Sequence, residues 1–283
     1  MQKTALLILI IFFICSFVKN KERNYSDIST IEKDMVAVPN TKIGGSIYIY
    51  KYEVSNFFYL QYLTDLQKIN QEKYSMALPD TQVWRQKLSY SEPFVEYYFR
   101  HPAYREYPMV GISFDQCNMF CNWLTEKYNQ YEKRKHKKVV FSLPTKEEWI
   151  LAAKAGKEDA AFPFEKNSLQ NERGEWMANF KVIPQDAILE SDCKYELKLN
   201  ESKLINHEYI DLTAPVKSYY PNKLGIFNMA GNVSEFVLEK GICKGGSWRS
   251  TAHYLQINRE ETYDTLNSAS ASRGFRFVMR VES

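Results

Sequence analysis

The chain has 283 residues, of which 45% are hydrophobic and 25% are charged, a balance typical of a globular protein and not of a disordered one. Its 37 lysines and arginines against 34 aspartates and glutamates leave a net charge of only +3. That charge is too small to create the broad basic field that holds a nucleic acid, so we expect no nucleic-acid partner. The length is compatible with one large domain or with two small ones.

The N-terminus has the pattern of an export signal. Lys3 precedes an unbroken apolar run from Ala5 to Ile14, and Cys15 follows that run directly. The position of Cys15 is where a bacterial lipoprotein is cut and acylated, although Ile14 stands where such signals have a small residue. An uncleaved anchor and ordinary cleavage remain the alternatives. We predict a signal peptide over 1–18 with lipidation at Cys15, a polar leader over 19–34 and a single domain over 35–283.

Short strands and a helix follow the leader. Alternating residues in SIYIYKYEVSN predict a strand with period two. A helix is predicted to begin at Ser55, with Leu60, Leu63, Leu66 and Ile69 facing the same side.

Two further helices carry N-terminal capping boxes, the first at Ser113 with Gln116 and the second at Thr145 with Glu148. Gly156 is predicted to end the second of these helices. Cys117 and Cys121 lie on one stripe of the first, where we expect core packing; metal binding or redox work is the alternative. Beyond Gly156 the chain is irregular, with short strands predicted around Ile242 and Phe275, and such a long irregular backbone needs another source of stability.

The stretch NMAGNVSEF, residues 228–236, offers oxygen ligands for a hard cation. The amide oxygen of Asn228, the carboxylate of Glu235 and intervening backbone carbonyls suit calcium best. An ordinary turn followed by a helix N-cap is the alternative, because the multiple carboxylates of a helix-loop-helix calcium loop are missing.

Several blocks of the chain, taken in order, resemble the formylglycine-generating enzyme, or sulfatase-modifying factor, superfamily from about residue 36 to 283. These blocks are EVSNFFYLQYL, YPMVGISFDQCNMFCNWL, FSLPTKEEWILAAKAG, TAPVKSYYPNKLGIFNMAGNVSEFV, KGGSW and RGFRF. The resemblance implies an α+β fold of the irregular C-type lectin-like kind, poor in regular secondary structure and stapled by calcium.

The same resemblance implies two calcium sites. The first comprises Asn228, Gly231, Val233 and Glu235, with Gly231 and Val233 acting through their backbone carbonyls. The second begins at Asn179 and Phe180 and continues, after an apparent insertion over 181–207, at Glu208 and Ile210.

The oxidising members of the superfamily bind copper through two cysteines placed just after the double glycine. Ser250 and Leu255 stand at those positions here. Neither a hydroxyl nor a leucine replaces a thiolate toward copper(I), so we predict no such oxidase chemistry and assign no catalytic residue. The four histidines form no paired metal motif. A metal-dependent oxidoreductase with an altered site, involving Ser250 and His253, is the alternative function.

Two longer blocks, residues 77–114 and 245–264, are similar to the gliding-motility-associated lipoproteins of the Bacteroidetes type IX secretion machinery. That similarity implies a non-catalytic scaffold, held by lipid on the periplasmic face of the outer membrane, which assembles with protein subunits, in some members as rings. Large aromatic residues in the first block predict a partner groove; covering the core is the alternative. The groove residues are Trp84, Phe94, Tyr97, Tyr98, Phe99 and Tyr104.

Overall fold

A computed structural model describes residues 28–39, 47–85, 90–183, 188–189, 198–199 and 212–282. The helices are α1 (Ile28–Lys33), α2 (Asn56–Ile69), α3 (Gln71–Ala77), α4 (Glu92–Tyr97), α5 (Phe114–Gln130) and α6 (Lys146–Lys154). The strands are β1 (Met35–Ala37), β2 (Ile47–Tyr50), β3 (Val139–Ser142), β4 (Ile188–Leu189), β5 (Lys198–Leu199), β6 (Ser234–Phe236), β7 (Ile242–Lys244), β8 (Glu261–Thr262), β9 (Arg273–Gly274) and β10 (Val278–Val281). None of the described helices is long and apolar enough to cross a membrane.

Three helices begin where their caps predict. The Ser55 hydroxyl accepts the backbone N–H of Phe58 at the start of α2. Both halves of the capping box are formed at the start of α5 and again at the start of α6. The predicted apolar stripe of α2 is correct at Leu63 and Leu66, which are buried, but wrong at Ile69, which is 74% exposed. Ile69 is the last residue of α2 and the chain turns away at Asn70, so its side chain has no core to face.

The first sheet forms the centre of the fold. Its strand order is β1-β2-β10-β3, and all neighbouring strands are antiparallel. One face packs through Tyr50 and Phe277 against α2 and α5, while the other packs through Ile49 and Val278 against Trp149 of α6. Cys117 and Cys121 are buried free thiols on α5, and they belong to the apolar cluster that contains Tyr50 and Phe277. This agrees with core packing.

The second sheet has the order β8-β7-β6-β9, and its strand β6 contains residues 234–236 of the predicted calcium-binding stretch NMAGNVSEF. Strands β6 and β7 are antiparallel, with Glu235 opposite Lys244 and Phe236 opposite Cys243. Strands β6 and β9 are parallel, with Ser234 opposite Arg273. Cys243 lies opposite Glu261 on β8. Since side chains alternate along a strand, this register separates the sheet into two faces with different chemistry.

Candidate functional site

A tight turn precedes β6 and depends on left-handed backbone. Asn228, Gly231 and Asn232 have φ angles of 53°, 78° and 64°. A Cβ atom on Gly231 would lie 2.3 Å from the carbonyl oxygen of Asn179, so only glycine permits this approach. The same carbonyl accepts the backbone N–H of Asn232 at 2.7 Å. The turn is therefore held against the segment of Asn179, so Gly231 of the first predicted calcium site and Asn179 of the second lie side by side.

Glu53 lies beneath this turn and is completely enclosed. Its Oε2 accepts the side-chain Nδ2 of Asn228 and that of Asn232, each at 2.9 Å. Its Oε1 is buried and has no hydrogen-bond partner among the described residues. Burial is the main cause that raises the pKa of Glu53 to about 8; the nearby Glu235 charge raises it further, while Arg276 and the two asparagines oppose the shift. Sequence reasoning missed this residue, because an acidic residue two positions before a helix N-cap is ordinarily exposed.

Glu235 forms a buried ion pair on one face of the second sheet. Its Oε1 accepts Nη2 of Arg276 at 2.5 Å, and its Oε2 accepts Nε of Arg276 and Nε1 of Trp149, both at 2.7 Å. The remaining guanidinium N–H groups donate to the backbone carbonyls of Tyr50, Lys51 and Phe227. Every N–H of the guanidinium therefore has an acceptor. The negative charge of Glu235 is neutralised inside the protein.

On the opposite face of the second sheet, serine hydroxyls instead of a guanidinium bind a glutamate. The hydroxyl of Ser250 donates to Oε1 of Glu261, and the hydroxyl of Ser234 donates to Oε2. Ser250 is also 2.9 Å from the hydroxyl of Ser247 and accepts the Ser247 backbone N–H. These three serines are buried, whereas Glu261 is half-buried. The result is a carboxylate held by neutral donors, so its charge is not neutralised.

Residues 19–281 match the family described as "Sulfatase-modifying factor enzyme 1-like domain". The chain belongs to this family. Two relatives, from Bos taurus and Mus musculus, carry the name "Inactive C-alpha-formylglycine-generating enzyme 2" and are each 23% identical over 184 residues. That alignment covers 60% of this chain and 50% and 48% of the two relatives, so the chain spans about half the length of the curated relatives it matches.

Solved structures agree on the fold of the family. Treponema denticola variable protein 1 is 16% identical with a TM-score of 0.51, covering 87% of this chain and 91% of that protein. PvdO from Pseudomonas aeruginosa is 17% identical with a TM-score of 0.53, covering 88% and 90%. CarF is 18% identical with a TM-score of 0.54, covering 84% and 87%. The irregular α+β fold expected from the sequence is thereby confirmed.

The side-chain arrangement at the first predicted site disagrees with the calcium ion that the family resemblance implies. Calcium needs carboxylate oxygen with unneutralised charge, and both oxygens of Glu235 are taken by Arg276 and Trp149. Asn228 turns its amide nitrogen to Glu53. As arranged, the Glu235 carboxylate does not fit a calcium ion, because both of its oxygens are taken. Calcium binding through the backbone carbonyls of Gly231 and Val233 stays a prediction.

The second predicted calcium site lies only partly within the described residues. Asn179 donates its side-chain Nδ2 to the carbonyl of Leu212 at 2.9 Å, and Phe180 is buried. Glu208 and Ile210 lie outside the described residues, so the site stays a prediction. No cluster of three or more His, Cys, Asp or Glu side chains suited to a metal occurs in the described part of the chain.

The two positions that correspond to the family's copper-binding cysteines lie in different surroundings, one polar and one apolar. Ser250 belongs to the serine and glutamate network, whereas Leu255 is buried in an apolar cluster with Phe164, Phe180 and Ala230. His253 is exposed, and its ring lies 5.2 Å from that of Tyr254. Ser250 is buried and His253 is turned outward, so the structure does not bring these two predicted alternatives together into one catalytic pair.

Most of the six aromatic residues predicted to form a partner groove lie inside the described structure, while partner binding itself stays a prediction. Trp84 and Tyr98 are each only 2% exposed, and their ring centroids are 4.5 Å apart. Trp84 also stacks on Trp248 at 6.1 Å. Phe94 and Tyr104 pack against this cluster, and Phe99 packs against the main core. Of the six residues, only Tyr97 is exposed, at 45%.

Cys15, the signal peptide over 1–18 and most of the polar leader lie outside the described residues, so the lipidation assigned to Cys15 stays a prediction.

Proposed function

We propose that this protein is a non-catalytic interaction member of the sulfatase-modifying factor family. The observation that carries the proposal is the pair Ser250 and Leu255 at the family's thiolate positions. Ser250 is bound to Glu261, and Leu255 is fully buried among apolar side chains. Two thiolates at these positions are what copper(I) requires, and neither the hydroxyl of Ser250 nor the side chain of Leu255 supplies one. The name of the mammalian relatives, which calls them inactive, supports the same reading.

The biochemical test is an oxidation assay. Purified protein, loaded with copper(I) under air, is incubated with a cysteine-containing sulfatase-type peptide, and the product is followed by mass spectrometry. We expect no aldehyde product above a control without protein. Peptide oxidation that depends on the protein would favour the alternative, a metal-dependent oxidoreductase with an altered ligand set.

The cellular role is proposed from the resemblance of residues 77–114 and 245–264 to gliding-motility-associated lipoproteins. On this proposal the protein is anchored by lipid on Cys15 at the periplasmic face of the outer membrane. There it assembles with protein subunits of the type IX secretion apparatus. In some members of the similar lipoproteins that assembly is a ring. Several acyl chains anchor firmly where one binds only weakly.

Two measurements test this placement. Mass spectrometry of the native protein should find a diacylglyceryl group at Cys15, and affinity purification from native outer membranes should retain secretion or motility subunits. A mature chain that begins after Cys15 without lipid contradicts the anchor. Purification of the protein alone, from membranes that contain an assembled apparatus, contradicts the scaffold.

A further inference from the structure

A pocket of about 360 Å³ opens on the face of the second sheet opposite the Glu235 ion pair. Its lining includes Glu261 from β8, Arg273 from β9, the thiol of Cys243 and the rings of Tyr254 and Tyr263. The volume is at the lower end of the range for small-molecule pockets, about 300–1,000 Å³. The register of the strands explains this lining, because Glu261, Cys243 and Arg273 all point to this one face.

The carboxylate of Glu261 is fixed in place without being neutralised. Both oxygens of Glu261 accept serine hydroxyls, one from Ser250 and one from Ser234. A hydroxyl orients a carboxylate but leaves its charge available to a further partner. Glu235, on the other face, shows the contrasting case, since a guanidinium neutralises its charge completely.

The positive group is fixed separately. Nη1 of Arg273 donates to the carbonyl oxygen of Ser268 at 2.6 Å, and the guanidinium lies 5.3 Å from the centroid of the Tyr263 ring. Both partners are uncharged. The Ser268 carbonyl binds one edge of the Arg273 guanidinium and the Tyr263 ring covers one face, so further N–H groups of the guanidinium are left for a ligand.

The two charges are close but do not pair. Ser234, whose hydroxyl binds Glu261, is the direct register partner of Arg273 on the neighbouring strand. The backbones of Arg273 and Ser234 are therefore one strand spacing apart, about 5 Å, and Ser234 holds the Glu261 carboxylate. Within the described part of the chain no ion pair joins Glu261 to Arg273. Both charges also act on Cys243, which lines the pocket: burial raises the pKa of its thiol, Arg273 lowers that pKa and Glu261 raises it.

We propose that this pocket binds a small zwitterion, a free α-amino acid, with its ammonium group on Glu261 and its carboxylate on Arg273. Two opposite charges held apart by neutral partners complement a ligand that carries both charges on one carbon. The Arg273 guanidinium offers the forked donor geometry that a carboxylate prefers. The exposed ring of Tyr254 provides an apolar wall for the ligand's side chain.

The first experiment is isothermal titration calorimetry of the purified domain with L-alanine up to about 10 mM, a range that detects millimolar affinity. The matched probes are propionate, which carries only the negative charge, and ethylammonium, which carries only the positive charge. We expect saturable binding of L-alanine and binding at least about tenfold weaker for either single-charge probe, since a hydrogen bond to a charged group contributes roughly that factor. Equal affinity for all three probes, or no binding of L-alanine, overturns the proposal.

Substitutions then locate the site. Glu261→Gln and Arg273→Gln remove one charge each and should each weaken L-alanine binding at least about tenfold. Glu282→Gln is the matched control, because it makes the same change of charge outside the pocket, where Glu282 pairs with Lys138; its binding of L-alanine should stay near wild type. Equal loss in the Glu282 and Glu261 variants overturns the assignment. Thermal melting of each variant verifies folding, and if Glu261→Gln does not fold, Arg273→Gln and the probe selectivity of the wild type decide.

Discussion

Arg276 and Glu235 form an ion pair that is almost completely removed from solvent, with side-chain exposures of 0% and 1%. Glu235 belongs to β6 of the second sheet, and Arg276 lies between β9 and β10, where the chain passes from the second sheet to the first. The guanidinium also binds carbonyls of Tyr50, Lys51 and Phe227. This one side chain therefore connects both sheets to the turn that precedes β6, and it occupies the carboxylate expected to bind calcium.

Removing one partner of this pair should destabilise the protein strongly. We expect Arg276→Gln to lower the free energy of unfolding by about 3–5 kcal/mol, because it leaves the Glu235 charge buried and unpaired. The control is Arg85→Gln, which breaks the exposed pair with Glu92 and should leave the free energy of unfolding close to wild type. Urea unfolding measures both, and similar losses in the two variants would contradict a structural role for the buried pair.

Any effect of calcium on stability should not depend on Glu235. We expect the change in melting temperature on adding a chelator, whatever its size, to be the same in the wild type and in Glu235→Gln. A ligand stabilises only through the residues that bind it in the folded state, and Glu235 is already bound to Arg276 and Trp149. A calcium-dependent shift that is present in the wild type and lost in Glu235→Gln would restore Glu235 as a calcium ligand.

Glu53 should make stability fall as the pH rises through neutrality. Its pKa is raised to about 8 in the folded protein, against an ordinary value of 4.5. The folded state therefore holds a proton that the unfolded state releases, so the contribution is fully present below pH 4.5 and is lost as the pH approaches 8. The shift corresponds to at most about 5 kcal/mol.

Glu53→Gln removes this titration while keeping the acceptor for Asn228 and Asn232. The variant's stability should depend less steeply on pH between 5 and 8 in chelator-containing buffer. Urea midpoints across that range measure the slope. The range stops at 8 because burial lowers the pKa of Lys244 to about 8, which adds a contribution of opposite sign at higher pH. An unchanged slope in the variant would show that Glu53 is ionised when folded.

Local features of this fold were readable in the sequence, and long-range ones were not. Ser55, Ser113 and Thr145 were identified as helix caps because capping is decided within four residues. The partner of Glu235 could not be identified, because Arg276 is 41 positions away and only the folded sheet brings them together. The burial of Trp84 and Tyr98 could not be identified either, because the aromatic composition of a segment does not reveal which of its rings face inward. The family blocks predicted the fold correctly.

Buried and exposed aromatic residues of the segment predicted to bind a partner, residues 77–114, should have different effects on stability. Trp84→Ala should lower the free energy of unfolding by about 3–5 kcal/mol, because Trp84 packs against Tyr98 and Trp248 in the interior. Tyr97→Ala together with Tyr90→Ala should leave the free energy of unfolding close to wild type, because these side chains are 45% and 84% exposed.

The same double variant tests whether the exposed part of this segment contacts a partner. If it does, Tyr90→Ala with Tyr97→Ala should reduce co-purification of partner subunits from native outer membranes, since exposed aromatic anchors dominate many interfaces. Tyr254→Ala is the matched control, a tyrosine 40% exposed on a different segment, and should leave co-purification unchanged. Retention of partners by the folded double variant would place the interface elsewhere on the surface. The internal rings of Trp84 and Tyr98 would then serve only the core, as their burial already requires.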